Sequence, residues 1–302
     1  MESSHDRQRI LVALDGSDYT FETVRYIRNI SSFNQKQIVL FTVFSGIPAA
    51  YWELQQNPAF RSRLTEIRAW EGQRRREAEA YMADAKQILM DAGFEDRWVD
   101  ARIQEMKGGI ARDIYHEAEK GYAALIMGKR GVNPVRGLVL GSVAAKLIQK
   151  ASFIPVVLVG RDVRPGKLLI AFDGSEGCFQ AVDCVAEMFG NSGYEISMTH
   201  VVRLQQDEKG LIAEEERRIS SSFSEATERL IAAGIPARQI ATQIIAGAAS
   251  RAEAIVKEAD QQGYGTIVAG RRGLSRISEF FMGSVSHKII QLARGHAVWV
   301  VS

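Results

Sequence analysis

The strongest constraint on this chain is an internal repeat. Gly128-Lys129-Arg130-Gly131 is followed after nine residues by Gly141-Ser142-Val143, and Gly270-Arg271-Arg272-Gly273 is followed at the same spacing by Gly283-Ser284-Val285. An apolar run enters each first glycine and a helical pattern follows each Gly-Ser pair, so each half ends a strand in a glycine turn and opens its last helix with Gly-Ser. A strand end that needs glycine twice in four residues either turns with positive φ or lets something approach its backbone, and both readings are open. The free N–H groups of a helix start, helped by a hydroxyl, commonly hold a phosphate. Lys129, Arg130, Arg271 and Arg272 flank the turns and suit an anion. The plainer alternative is a tight turn followed by a serine N-cap. Identical spacing in loops whose other residues differ argues against turn-making alone.

The rest of the chain repeats with it. Residues 9–14 form an apolar run ended by Asp15-Gly16-Ser17, and residues 167–172 form one ended by Asp173-Gly174-Ser175, the pattern of buried parallel strands ending in turns. Amphipathic stretches follow, with Val24, Ile27 and Ile30 in one copy and Val182, Val185, Met188 and Phe189 in the other, and Ser17 and Ser175 are predicted N-caps. Second strands are predicted at 37–44 and 194–202, third strands at 97–105 and 238–245, and helices at 109–120 and 249–262. Fourth strands at 123–127 and 266–269 run into the glycine turns, and fifth strands at 154–159 and 297–301 close each half. The polar segment 161–166 reads as a linker between domains 1–160 and 167–302. An irregular excursion at 45–63, with Tyr51, Trp52 and Phe60, has no counterpart in the second copy; its aromatics suit a cover for a pocket or for a partner. The long helix after it is predicted to bury Ala78, Tyr81, Ala85, Ile88 and Ala92 and to expose Arg74, Arg75 and Arg76. Five strands alternating with four helices in each half imply two tandem α/β domains with doubly wound parallel sheets, in which ligands bind at the carboxyl ends of the strands.

Composition narrows the function. With 46% hydrophobic and 25% charged residues, 302 residues suffice for two cores. The net charge of +2 supplies no field for nucleic acid or an anionic membrane. The N-terminus carries acids and only a short apolar stretch, and no run approaches a membrane span, so a cytoplasmic protein is expected. Cys178 and Cys184 are six apart in one predicted helix and read as buried hydrophobes, and the five histidines are scattered, so no metal centre is assigned.

With these motifs the sequence resembles a tandem member of the universal stress protein family. The resemblance rests on the Asp-Gly-Ser strand ends, the two Gly-x2-Gly-x9-Gly-Ser patterns and the Pro155-Val156-Val157-Leu158-Val159 strand. In that family the intact glycine pattern marks the ATP-binding branch, so the resemblance implies one ATP site per half, with Mg²⁺ accompanying the nucleotide. Carried over by position, Asp15 and Val43 would contact adenosine, Gly128 and Gly131 would admit ribose and phosphate, and Gly141, Ser142 and Val143 would hold phosphates. Lys129 and Arg130 follow the family's frequent basic residues there. The second copy supplies Asp173, Val201, Gly270, Arg271, Arg272, Gly273, Gly283, Ser284 and Val285. The copies differ where Thr42 is matched by His200 and Ile154-Pro155 by His296-Ala297. The resemblance also implies that the fifth strands pair, either between the two domains or across a homodimer axis, and an unpaired apolar edge would be an aggregation hazard.

Three functions follow. An ATP-binding stress regulator that signals through a protein partner fits best, because pieces for holding a phosphate are present without an obvious base or arginine finger. A slow ATPase and a nucleotide-independent scaffold are the alternatives. No Walker motif or Gly-x-Gly-x-x-Gly occurs, which disfavours the enzyme, and the doubly intact glycine pattern disfavours the scaffold.

Overall fold

The structure is a computed structural model describing residues 8–44, 61–131, 139–203, 209–273 and 282–302, so most of the 45–63 excursion and of both nine-residue loops lies outside the described residues. The first half runs β1 (Arg9–Ala13), α1 (Asp18–Arg28), β2 (Gln37–Phe44), α2 (Arg61–Asp91), β3 (Val99–Glu105), α3 (Ile110–Ala118), β4 (Ala124–Gly128), α4 (Ser142–Lys150) and β5 (Val156–Val159). The second runs β6 (Lys167–Ala171), α5 (Glu176–Phe189), β7 (Glu195–Val201), α6 (Lys209–Ala232), β8 (Ile240–Ile245), α7 (Arg251–Gln262), β9 (Thr266–Gly270), α8 (Ser284–Leu292) and β10 (Ala297–Val301). This is the predicted α/β class in two tandem, doubly wound copies.

The strands form one sheet in the order β3-β2-β1-β4-β5-β10-β9-β6-β7-β8. Every neighbouring pair is parallel except β5 with β10, whose antiparallel register sets Val298 opposite Leu158, Trp299 opposite Val157 and Val300 opposite Val156. Of the two pairings the resemblance allows for the fifth strands, the chain makes the intramolecular one, and each edge is consumed by the other. The strand order reverses between β1 and β4 and again between β6 and β9, so each half has a crevice at those carboxyl ends.

Apolar runs fill these strands because helices cover both faces. Ile10 and Val12 enter one core layer and Leu11 and Ala13 the other, and both layers contain residues from both halves. The seam is sealed by Trp299, fully buried on β10, which stacks edge-on against Phe189 at 5.4 Å. Its Nε1 donates to the Tyr26 hydroxyl of the first half at 2.7 Å, and that hydroxyl lies 3.1 Å from Thr266 Oγ1. Ser32 Oγ adds a bond to Met188 O at 2.6 Å across the same boundary.

Three local expectations are corrected. α2 begins at Arg61, so the last residues assigned to the excursion are helical. Its buried stripe is Ala78, Met82, Ala85 and Leu89, while Ala92 lies past the helix end and is exposed. Ser175 accepts from Cys178 N and caps α5, but Ser17 donates its hydroxyl to Asp15 Oδ1 at 2.6 Å and makes no cap bond.

Trp299→Ala is expected to destabilise the chain by about 3–5 kcal/mol through loss of a large buried side chain. Tyr26→Phe is expected to cost about 1–3 kcal/mol by leaving the indole N–H without its acceptor. Urea unfolding measures both; a loss under about 1 kcal/mol for Trp299→Ala would mean that the seam relaxes around the gap.

Candidate functional site

Each crevice is built from an aspartate turn and a glycine turn that face each other. After β6 the chain turns through Gly174 at φ +73°, and after β1 through Gly16 at φ +76°, a region that favours glycine. The turn lets the aspartate fold back on the next amide: Asp173 Oδ1 accepts from Ser175 N at 3.0 Å, and Asp15 Oδ1 accepts from Ser17 N at 3.0 Å. Of the two readings open for the glycine turns, close approach holds, because none of Gly128, Gly131, Gly270 and Gly273 takes a positive φ. A Cβ on Gly128 would lie 2.5 Å from Tyr19 Cβ, and one on Gly270 would strike the Gly177 carbonyl oxygen. A Cβ on Gly273 would lie 2.5 Å from Asp173 Oδ2, and one on Gly131 would strike Asp15 Oδ2. The second glycine of each turn thus leaves room for the carboxylate of the same half.

The Gly-Ser pairs stand beside those turns. Gly283 N donates to Arg271 O and Gly141 N to Lys129 O, both at 2.8 Å. Gly283 and Gly141 are the capping positions of α8 and α4, and neither helix receives a side-chain cap among the described residues. Ser284 and Ser142 are therefore first helical residues rather than caps, which corrects the plainer reading of the motif. The first turn of α8 lines the second-half crevice, and the dipole and free N–H groups of a helix start favour an anion.

In the second half these pieces enclose a cavity of about 250 Å³. Asp173, Val201, Gly270, Arg272 and Gly273 line it from the strand ends, and Gly283, Ser284 and Val285 line it from α8. Arg271 is the one second-copy candidate that does not line it. In the first half Asp15 and Gly131 meet as described, and a Cβ on Gly141 would lie 3.5 Å from Gly131 N. Val43 is buried at the end of β2, Val143, in the first turn of α4, packs against the core, and Arg130 is half-buried.

Lys129 and Arg271 correct the expectation that all four basic residues serve an anion. Both are buried, at 1% and 6% exposure, and both reach into the opposite half. Lys129 Nζ donates to Ala293 O, and Arg271 Nη2 donates to Ile148 O and to Gln149 O, the latter at 3.1 Å. Burial lowers the Lys129 ammonium to about 7, outweighing the helix end that favours a cation.

Several cavity residues carry no motif signal. Phe172 and Thr199 flank the strand ends, and Ser286 lies two residues beyond Ser284, where its hydroxyl donates to Gly270 O at 2.7 Å. His200 Nδ1 donates to Phe172 O at 2.9 Å, and its Nε2 lies 3.1 Å from Glu215 Oε1. Hydrogen bonding from the Arg218 guanidinium, helped by its charge and by His200, holds the Glu215 carboxyl at about 2. Arg251, the first residue of α7, donates to Val201 O at 3.3 Å. Glu215 and Arg251 sit on helices remote from the repeat landmarks, so only the folded register reveals them. Cys178 and Cys184 are buried, and burial raises both thiols to about 12, as inert core residues require. The described residues contain no cluster of three potential metal ligands and no helix long and apolar enough to cross a membrane.

A duplicated, doubly wound α/β sheet whose crevices pair an aspartate turn with a Gly-x2-Gly-x9-Gly-Ser turn defines the class of the molecule. The model of the universal stress protein family matches residues 6–160 and again 165–302, and the chain belongs to that family as a tandem member. A universal stress protein of Bacillus subtilis is 29% identical over 142 residues, covering 42% of this chain and 93% of that protein. One of Methanocaldococcus jannaschii is 30% identical over 159 residues, covering 50% and 81%. The crystal structure of a universal stress protein from Archaeoglobus fulgidus superposes with a TM-score of 0.64 at 19% identity, covering 98% of this chain and 99% of that one, which speaks to the fold alone.

Lys129 also gives a measurable pH signature. Between pH 7 and 10.5 the unfolded chain keeps a proton on this amine that the folded chain has released, so its contribution makes stability rise with pH across that window. Lys129→Met is expected to flatten the rise by up to about 1.4 kcal/mol per pH unit, read from urea midpoints at successive pH values. Parallel pH profiles for the two chains would place the amine in water.

Proposed function

We propose that this universal stress protein is a cytoplasmic ATP-binding regulator, with one adenine-nucleotide site in each half and signalling to a protein partner. The observation that carries the reading is the second-half cavity, where Asp173, the glycine turn and the start of α8 converge on one space. Its phosphate end is formed by the first-turn amides of α8, with Ser284 and Arg272 beside them; its adenosine end is formed by Asp173 and Val201 at the ends of β6 and β7. The first-half site would use Asp15, Val43, Gly128, Gly131, Gly141, Ser142 and Val143 in the same arrangement. Mg²⁺ would arrive on the phosphates.

Regulation is preferred to turnover on positional grounds. Of the titratable groups in the cavity, Asp173 is held by Ser175 N at the end of β6 and the His200–Glu215 pair stands at the β7 side, whereas the α8 start stands over β9, where Ser286 Oγ donates to Gly270 O. The order β9-β6-β7 separates those strands by two interstrand spacings, about 10 Å. On this reading the pair would serve the base end rather than a terminal phosphate.

Titration calorimetry with MgATP is expected to show binding with negligible phosphate release over hours. Gly273→Val is expected to remove the second-half event, because the valine pushes the Asp173 carboxylate out of place, while circular dichroism stays unchanged. A chain that ignores millimolar MgATP and carries no nucleotide when denatured would leave the scaffold reading; sustained phosphate release would establish the ATPase.

A further inference from the structure

Lys129 and Arg271 sit in the two glycine turns yet serve neither crevice directly. Lys129 Nζ donates to the carbonyl of Ala293, the C-terminal cap of α8, 164 positions away. Arg271 Nη2 donates to the Ile148 and Gln149 carbonyls in the last turn of α4, over 120 positions away. The last carbonyls of a helix lack intrahelical partners, and a basic side chain is well suited to satisfy them. Both side chains are buried in doing so, and neither makes an ion pair among the described residues.

The main chains of the same two residues hold the other ends of this pair of helices. Lys129 O accepts from Gly141 N at the start of α4, and Arg271 O accepts from Gly283 N at the start of α8. The contacts close a circuit: Lys129 side chain to the end of α8, start of α8 to Arg271 main chain, Arg271 side chain to the end of α4, start of α4 to Lys129 main chain. Each helix has nine residues and spans roughly 13 Å as a rigid rod. Displacement at one end is therefore passed to the other.

Resting on the nucleotide reading above, we infer that Lys129 and Arg271 are crossed positioning residues, each set in the glycine turn of one half and each aligning, through a helix, the phosphate-holding Gly-Ser start of the other. Lys129 aligns Ser284 for the second-half site, and Arg271 aligns Ser142 for the first. The two sites are coupled through this circuit, so occupancy of one adjusts the other.

The test uses the full chain and MgATP. In a Gly131→Val background, which keeps the second-half site, Lys129→Met is expected to weaken binding by about two- to thirty-fold. In a Gly273→Val background, which keeps the first-half site, Arg271→Met is expected to do the same. Lys129→Arg and Arg271→Lys, each borrowing the other copy's residue, are expected to restore affinity. Hydrogen exchange of the nucleotide-free chain reads the mechanical link independently: Lys129→Met should raise exchange in α8 above that in α4, and Arg271→Met should do the reverse. Weakening confined to the half that carries the substituted residue, or affinities and exchange unchanged, would overturn the crossed arrangement while leaving the nucleotide reading intact. Crossed exchange in a chain that binds no MgATP would overturn the nucleotide reading, and with it the assignment of these residues to phosphate alignment.

Discussion

The antiparallel pairing of β5 with β10 is the constraint on which the molecule depends. Alone, each half would present an apolar edge of four or five residues, Val156–Val159 or Ala297–Val301, as a template for association. Joined, the edges vanish into one sheet, and both core layers run across the boundary. The pairing also decides where the last helices go. α4 and α8 each precede a fifth strand, so strands brought side by side bring the ends of those helices within reach of the opposite glycine turn. The crossed bonds of Lys129 and Arg271 are a consequence of that geometry, as is the burial of Trp299 against Phe189 and Tyr26.

Much of this was legible before the structure because the chain is written twice. Strands such as 9–14 and 167–172 are apolar without alternation, which only a sheet covered on both faces accommodates, and each ends in a turn whose glycine was required. The candidate site was legible to the extent that backbone spacing encodes it, since glycines mark where side chains are excluded whatever fills the rest. Directions of long side chains were not legible. Lys129 and Arg271 look like anion ligands in sequence, and the carbonyls they seek are supplied by the other half. Glu215 and Arg251 were equally hidden, because helices α6 and α7 are placed over the crevice by core packing and not by a local signal. Ser17 and Ser175 occupy the same position in the repeat, yet a hydroxyl can donate to its neighbouring aspartate or accept from a helix amide, and the two copies chose differently.

The role of the glycines also shifts once their neighbours are known. A missing side chain at Gly131 or Gly273 suggests access for a ligand, but the atom that needs the room first is a carboxylate oxygen of Asp15 or Asp173. The aspartate is held there by the amide two residues on, so turn and strand end constrain each other. This accounts for the two motifs recurring together in both halves: a side chain at Gly131 or Gly273 would displace the carboxylate.

Within that shared frame the copies have exchanged volumes and charge. α2 and α6 end in matching turns, where Phe94 N bonds Leu89 O and Ile235 N bonds Leu230 O, so Tyr81 corresponds to Ser222 and Arg74 to Glu215. In the first half small Thr42 meets large Tyr81, whose hydroxyl lies 2.6 Å from Thr42 Oγ1 and whose ring packs over Gly16. In the second half large His200 stands where Thr42 does, small Ser222 stands over Gly174, and Glu215 reaches the imidazole. A close-packed interior tolerates such a swap when total volume is kept, and the backbone at both strand ends is therefore undisturbed. The polar groups are not kept: a carboxylate and an imidazole line the second crevice, whereas in the first a phenol packs over Gly16. The repeat thus preserves the main-chain frame of the two turns and varies the side chains at the ends of β2 and β7.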